Sequence, residues 1–230
     1  GHSYGELVAL AVARGYDLPA LLHLSERRGC AILDAAGDDP GRMAAVSAGR
    51  ETLEALFPPG AGSGVVLANQ NSPAQTVISG STRAVDAALV MLKERGIAAR
   101  PIEVACAFHS PVVARAEKVF ADVLDGIALQ PLNPAVSVYS NVTARPYPDK
   151  LDEVKRLLAS QIVNPVRFVE QIEQMYADGA RIFVEVGPAR VLTGLIQKIL
   201  AGRPHHVIAT DQKGQPGVPV LLEALGQLAV

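Results

Sequence analysis

The chain has 230 residues, of which 49% are apolar and 19% charged, enough for a folded globular protein with one large domain or two modest ones. A formal net charge of -2 leaves no electrostatic footprint for nucleic acid or an anionic membrane surface, and no apolar run approaches the roughly 20 residues that cross a bilayer. Two cysteines, Cys30 and Cys106, form no CxxC pair and no metal-ligand spacing, which points to a reducing compartment, the cytoplasm, without a disulfide framework or a metal site.

Residues 1–5, Gly1-His2-Ser3-Tyr4-Gly5, precede an apolar run at 6–14 that reads as a buried helix ending at Gly15. Asp17 is the expected cap of a second helix reaching about residue 35. Between 42 and 104 the rhythm changes. Strand signals at 43–48, 65–69, 75–79 and 100–104 alternate with helix signals at 50–57 and 82–95, the order βαββαβ of a ferredoxin-like unit. The Gly-rich stretch 60–64 precedes a strand instead of joining strand to helix, so it reads as a turn and not a phosphate loop.

The remainder alternates in the α/β manner: helix 111–126, strand 135–140, helices 151–161 and 166–179, strand 181–186, a Gly187-Pro188 break, a helix to about 200, strand 206–210 and a last helix from 218. The expected fold is therefore α/β. Residues 1–41 and 105–230 form a large subdomain with a mostly parallel sheet, and 42–104 form a small inserted one. Asn141-Val142-Thr143 has the form of a glycosylation acceptor, without meaning in a cytoplasmic chain.

Gly-x-Ser-x-Gly followed at once by a helix is the sequence form of a nucleophile elbow, a tight turn that lifts the serine Oγ above a sheet. The helix N-terminus puts unpaired N–H groups beside Ser3, and the Tyr4 N–H faces the position of an oxyanion. The side chains of His2 and Tyr4 read first as packing residues.

A serine nucleophile needs a base, and five histidines are available. His2 is turned from Ser3 by adjacency, His23 lies mid-helix among leucines, and His205 and His206 follow a proline at a strand start. His109 remains, in Cys106-Ala107-Phe108-His109-Ser110-Pro111, where Ser110 is a natural N-cap and Pro111 a natural first helical residue. Its position before a helix start disfavours imidazolium, although a histidine merely packed there is the plain alternative. No acidic partner is evident. The polar groups of 160–165, at a helix end, offer carbonyls for its Nδ1–H.

On the second helix, Leu18, Leu21, Leu22, Ile32 and Leu33 are expected to share one face, with Arg28 at its edge and Arg27 opposite. Arg28 so placed makes either a structural ion pair or a fork for a substrate carboxylate.

Gly1-His2-Ser3-Tyr4-Gly5-Glu6, Arg28-Gly29, Ala107-Phe108-His109-Ser110-Pro111, Gln161 with Asn164-Pro165-Val166, and Val184-Glu185-Val186-Gly187-Pro188 together resemble the malonyl-CoA:acyl carrier protein transacylases. More closely, they resemble the acyltransferase domain of a polyketide synthase, and the opening stretch is similar to iterative synthases of the enediyne kind. The resemblance implies a hydrolase-like core and ping-pong transfer of a malonyl group from malonyl-CoA to the phosphopantetheine thiol of an acyl carrier protein. In that scheme Ser3 is the nucleophile and His109 the general base. Gln161 orients His109 through its carbonyl, Arg28 pairs with the malonyl carboxylate, and Tyr4 supplies half of the oxyanion hole.

The resemblance implies no metal or resident cofactor, and neighbouring ketosynthase and other synthase domains on the same chain. It also implies a preceding segment that carries the strand into the elbow and the second oxyanion N–H, so that these residues alone fold poorly and do not acylate. Ala-Phe-His is the family pattern for malonyl selectivity, with Phe108 filling the space of an α-methyl group. Cys106 departs from the histidine common there. A serine esterase or thioesterase with the same elbow is the alternative enzyme, and an inactive docking domain the alternative of another class.

Overall fold

The computed structural model describes residues 1–229. They divide into two units, Gly1–Gln171 and a second beginning at Ile172.

The first unit opens with α1 (Gly5–Val12) and α2 (Leu18–Ala36). Asp17 caps α2 by accepting from the Ala20 N–H at 2.9 Å. The buried face of α2 is Leu21, Leu24, Arg28, Ala31 and Ile32, an i, i+3, i+4 series. This corrects the expected face: Leu18, Leu22 and Leu33 are exposed, and Arg28 lies within the buried stripe instead of at its edge. The helical wheel counted leucines, whereas the stripe actually buried is rotated to take in a cation. Arg27 is exposed, as expected.

Next come β1 (Arg42–Val46), α3 (Arg50–Leu56), β2 (Val65–Ser72), β3 (Gln75–Gly80), α4 (Thr82–Glu94) and β4 (Ala99–Ile102). The four strands form one antiparallel sheet in the order β2-β3-β1-β4, with β1 paired to β3 from Arg42↔Gly80 to Val46↔Thr76. Alternation sends Ala44, Val46 and Ile78 to one face, where they pack with Leu53 and Phe57 from α3 and its end and with Val85, Ala88 and Leu92 of α4. Met43, Ala68 and Val77 take the opposite face, against which Phe108 packs.

A 3-10 turn, Pro111–Val113, leads into α5 (Ala114–Asp125), followed by α6 (Leu151–Ser160) and α7 (Phe168–Ala177), whose residues from Ile172 on belong to the second unit. The main core of this unit joins Leu7 and Leu10 of α1, Leu24 and Ile32 of α2, Phe120 and Leu124 of α5, and Val154 and Leu158 of α6. Two close approaches hold the segment before His109 against the sheet. The Ala107 N–H donates to Pro40 O at 2.7 Å, and a Cβ at Gly41 (φ 71) would stand 2.4 Å from Gly80 O and 2.6 Å from the Ala107 Cβ. A single parallel bridge, Asn69↔Val166, attaches β2 to the loop after α6.

The strand expected at 135–140 is not formed. Only Tyr139 makes a bridge, to Pro146, flanked by Ser140 N–H to Arg145 O at 2.9 Å and Tyr147 N–H to Val138 O at 2.8 Å. The chain folds back on itself through a turn with Ala144 at φ 56, and the Tyr139 carbonyl is taken by the Gln171 amide at 2.9 Å, so no ladder grows. The expected single helix over 111–126 likewise begins with a separate 3-10 turn.

The second unit contains β5 (Ile182–Glu185), α8 (Val191–Ile199), β6 (His206–Ala209) and α9 (Gly217–Leu228). β5 and β6 are parallel, in register from Ile182↔His206 to Glu185↔Ala209, the pairing that a strand-helix-strand crossover produces. Glu185 ends β5 and turns its carboxylate onto the start of α8, accepting from the N–H groups of Leu192 at 3.0 Å and Thr193 at 2.7 Å.

Candidate active site

Ser3 stands one residue before Tyr4, the N-cap of α1, with φ 49, a left-handed conformation unusual for a non-glycine residue. Its carbonyl accepts from the Glu6 N–H at 3.0 Å, which starts the helix. The Ser3 Oγ lies 2.9 Å from His109 Nε2. His109 also has positive φ, 56, and its N–H donates to Ile162 O at 3.1 Å. After it, Ser110 accepts from the Val112 N–H at 3.3 Å and donates its hydroxyl to Ala107 O at 2.6 Å. The Ser–Pro start anticipated in the sequence thus fixes the histidine's backbone.

The imidazole is oriented by two carbonyls, Gln161 O and Asn164 O, each 3.0 Å from Nδ1. A carbonyl only accepts, so Nδ1 carries the proton and the Nε2 lone pair faces the serine hydroxyl. Burial, followed by the charge of Arg28, lowers the His109 pKa to about 4, which leaves the imidazole neutral at pH 7.

Gln161 is fully buried and links three groups. Its Nε2 donates to Ser3 O at 2.7 Å and to Glu6 Oε2 at 3.3 Å, while its Oε1 accepts from Arg28 Nη2 at 3.1 Å. Arg28 is only 7% exposed, and that amide is its one hydrogen-bond partner among the described residues. Its Nε is buried without any acceptor, and it belongs to none of the ion pairs among the described residues. Burial lowers its pKa, yet guanidinium keeps its proton in proteins, so a cation with unused donors lies beside the serine–histidine pair. Such a group is suited to an anionic partner.

Tyr4 is 46% exposed, and its hydroxyl pairs with Ser25 Oγ at 2.8 Å. Its N–H donates to none of the described residues. Phe108 is half-buried, packed against both the main core and the sheet face carrying Met43, and its carbonyl accepts from Ser79 Oγ at 2.8 Å. His2 turns from the serine toward Asn71 Oδ1, 3.0 Å from its Nε2, and packs edge-on against Phe168. Cys106 is buried, and burial raises its thiol to about 11, so it is inert as a nucleophile at neutral pH.

The structure therefore brings Ser3, His109, Gln161 and Arg28 into one hydrogen-bonded group, with the Tyr4 N–H adjacent. It also adds residues that sequence reasoning missed. Glu6, fully buried, accepts from the Tyr147 hydroxyl, from the Asn141 N–H at 3.1 Å and from Gln161. Asn141 Oδ1 accepts from the Ser3 N–H at 2.6 Å, and Gln171 Oε1 accepts from Asn141 Nδ2 at 3.1 Å. Burial pushes the Glu6 pKa up, against the pull of these donors. The only sequence signal was Glu6 itself, a carboxylate within an apolar helix.

The model of the acyl transferase domain family matches residues 1–230. The chain belongs to this family. It is 36% identical over 203 residues to the malonyl CoA-acyl carrier protein transacylase of Bacillus subtilis (strain 168), covering 86% of this chain and 63% of that protein. It is 35% identical over 233 residues to the 5-methyl-1-naphthoate synthase of Streptomyces sahachiroi, covering 99% of this chain and 13% of that one. The domain thus spans less than two thirds of either relative. Among solved structures, the malonyl CoA-acyl carrier protein transacylase from Clostridium perfringens superposes with a TM-score of 0.89 at 31% identity, over 100% of this chain and 70% of that one. The acyltransferase domain of an iterative polyketide synthase in enediyne biosynthesis superposes at 0.82 and 30% identity, over 98% and 58%.

Proposed function

We propose that this acyltransferase domain moves a malonyl group from malonyl-CoA to the phosphopantetheine thiol of an acyl carrier protein, in polyketide biosynthesis. The observation that carries the reading is Arg28: a buried guanidinium with an unpaired Nε, tied through Gln161 to the backbone of Ser3. An acyl group ending in a carboxylate would complete it. The names of the relatives, malonyl transacylases and a synthase, support the same substrate class.

In the proposed mechanism, His109 Nε2 takes the Ser3 proton as Oγ attacks the thioester carbonyl. The Tyr4 N–H, at the start of α1, faces the developing oxyanion. The intermediate collapses by breaking the C–S bond, and the imidazolium returns its proton to the departing thiolate, leaving malonyl-Ser3 and free coenzyme A. The carrier thiol then gives its proton to His109, attacks the ester and regenerates the serine. The Gln161 and Asn164 carbonyls stabilise the imidazolium in place of a carboxylate.

On this reading Phe108 restricts the acyl pocket to malonyl. No resident cofactor or metal takes part, coenzyme A and phosphopantetheine being substrate and acceptor. Residues 42–104 are a ferredoxin-like small subdomain, a view supported by the β2-β3-β1-β4 order and a separate core. They are inserted into a hydrolase-like large subdomain of 1–41 and 105–230. Ketosynthase and other synthase domains are its neighbours in a cytoplasmic protein; among the described residues no helix is long and apolar enough to cross a membrane. Identity to the enediyne domain, 30%, is no higher than the 31% to the Clostridium enzyme, so that subtype does not enter the reading.

Incubation of the intact protein, not of these residues alone, with malonyl-CoA, followed by mass measurement, tests the proposal. A lasting malonyl adduct, absent in Ser3→Ala and discharged by a carrier-protein thiol, is the expected result. Rapid release of free malonate would make the domain a hydrolase instead, and no adduct at all would sink the reading.

A further inference from the structure

A non-glycine residue in the left-handed region costs about 1–3 kcal/mol and persists only where its surroundings enforce it. Ser3, at φ 49, is such a residue, and one side chain grips the backbone on both sides of it. Asn141 Oδ1 accepts from the Ser3 N–H at 2.6 Å, and Asn141 Nδ2 donates to Gly1 O at 2.8 Å. A single amide thus does for the elbow what the backbone of a neighbouring strand does in a sheet, supplying one acceptor and one donor.

The orientation of that amide is fixed by a second one. Gln171 Oε1 accepts from Asn141 Nδ2 at 3.1 Å, and Gln171 Nε2 donates to Tyr139 O at 2.9 Å. Each run ends on a backbone group of fixed polarity: the Tyr139 carbonyl only accepts, and the Ser3 N–H only donates. Neither amide can flip without opposing like to like. The backbone of Asn141 is held as well, its N–H by Glu6 Oε2 at 3.1 Å and its carbonyl by the Arg167 N–H at 3.1 Å. Asn141 and Gln171 are both fully buried, so water cannot replace a lost partner cheaply.

We infer that Asn141 is a positioning residue for acyl transfer, oriented by Gln171, which holds the elbow in the strained turn that aims Ser3 Oγ at His109. The inference rests on the transfer reading above for the reaction it serves. Asn141 hydrogen-bonds neither Arg28 nor the imidazole, so its effect belongs to the rate of serine attack and not to carboxylate recognition.

The test is Asn141→Asp, measured in the intact protein. The aspartate keeps an acceptor for the Ser3 N–H but turns a second oxygen toward Gly1 O and Gln171 Oε1. The malonyl acylation rate should fall about 100-fold, as expected for a misplaced nucleophile, with KM for malonyl-CoA unchanged. Protonating the aspartate restores one donor, so the variant should recover as pH is lowered through the mildly acidic range, where the wild type is flat. Gln171→Met, which frees the Asn141 amide, should show a smaller loss with the same unchanged KM, and it decides the matter by these criteria if Asn141→Asp does not fold.

Labelling of Ser3 by a fluorophosphonate separates this inference from the malonyl reading. A wild type that labels but takes no malonyl overturns that reading alone, and slower labelling of Asn141→Asp still supports the clamp. A folded Asn141→Asp that labels and acylates at the wild-type rate, or that loses activity through KM alone, overturns the inference. A wild type that neither labels nor acylates overturns both.

Discussion

The surroundings of Glu6 and of Glu185 bury a carboxylate in contrasting ways. Glu185 is served from close by: the Leu192 N–H, the Thr193 N–H and the Thr193 hydroxyl lie seven and eight residues on. Glu6 takes its hydrogen bonds from Asn141, Tyr147 and Gln161, which are 135, 141 and 155 residues away. The first arrangement caps a helix and can be built by a strand-turn-helix segment alone. The second requires the unit's tertiary fold, and two of the residues that donate, Asn141 and Gln161, also hydrogen-bond Ser3. Local burial of a charge here serves secondary structure, and long-range burial assembles a site.

The largest effect should fall on the Glu6 side, at the proposed base. His109→Ala should slow acylation by about 1,000-fold, measured by single-turnover loading of malonyl-CoA; a near-normal rate would detach that whole cluster from chemistry. Next, Arg28→Met should cut kcat/KM for malonyl-CoA by about 10- to 100-fold, the loss of a charge-assisted pair, and shift preference toward acetyl-CoA. The pH profile gives a second reading of Arg28. Acylation needs neutral His109, so the wild-type rate should fall only as pH drops toward about 4, where burial and Arg28 hold its pKa. Without the arginine the pKa rises, and the acid limb with acetyl-CoA should move to higher pH.

The contrast itself is tested by paired substitutions. Glu6→Gln should lower the acylation rate about tenfold through misalignment of Gln161 and Asn141. Glu185→Gln should leave the rate of the folded protein unchanged and lower unfolding free energy by about 1–3 kcal/mol, seen in denaturant titration. Reversed outcomes would break the comparison. The smallest effect is one of selectivity. Phe108→Ser should relax discrimination against methylmalonyl-CoA by about 1–3 kcal/mol at most, read in competition assays.

What the sequence disclosed follows the same division. Asp17, Ser110 and Pro111 act on neighbours within a few residues, and the helix starts they signal are formed. The succession of strands and helices over 42–104 was legible because alternation and turn residues repeat locally. The face of α2 was misjudged because a leucine count gives no credit to a buried cation, and the hydrogen-bond partner of Arg28, Gln161, lies 133 residues away. Asn141 was noted only as the first residue of a glycosylation-acceptor form, Asn141-Val142-Thr143, and nothing local marks an amide whose partners are Gly1, Ser3 and Gln171. The strand expected at 135–140 had the right alternation, but alternation shows only which faces a segment would present and not whether a neighbouring strand exists to pair with it.

The single bridge between β2 and Val166 carries a further consequence. Val166 donates to Ala68 O at 2.8 Å and accepts from the Gln70 N–H at 2.9 Å, two residues beyond the Asn164 carbonyl that holds His109 Nδ1. The sheet and the imidazole are thereby threaded on one short length of backbone. Slow deuterium uptake at the amides of Gln70 and Val166 therefore becomes a reporter of whether the histidine is held, legible in a protein that has never met its substrate.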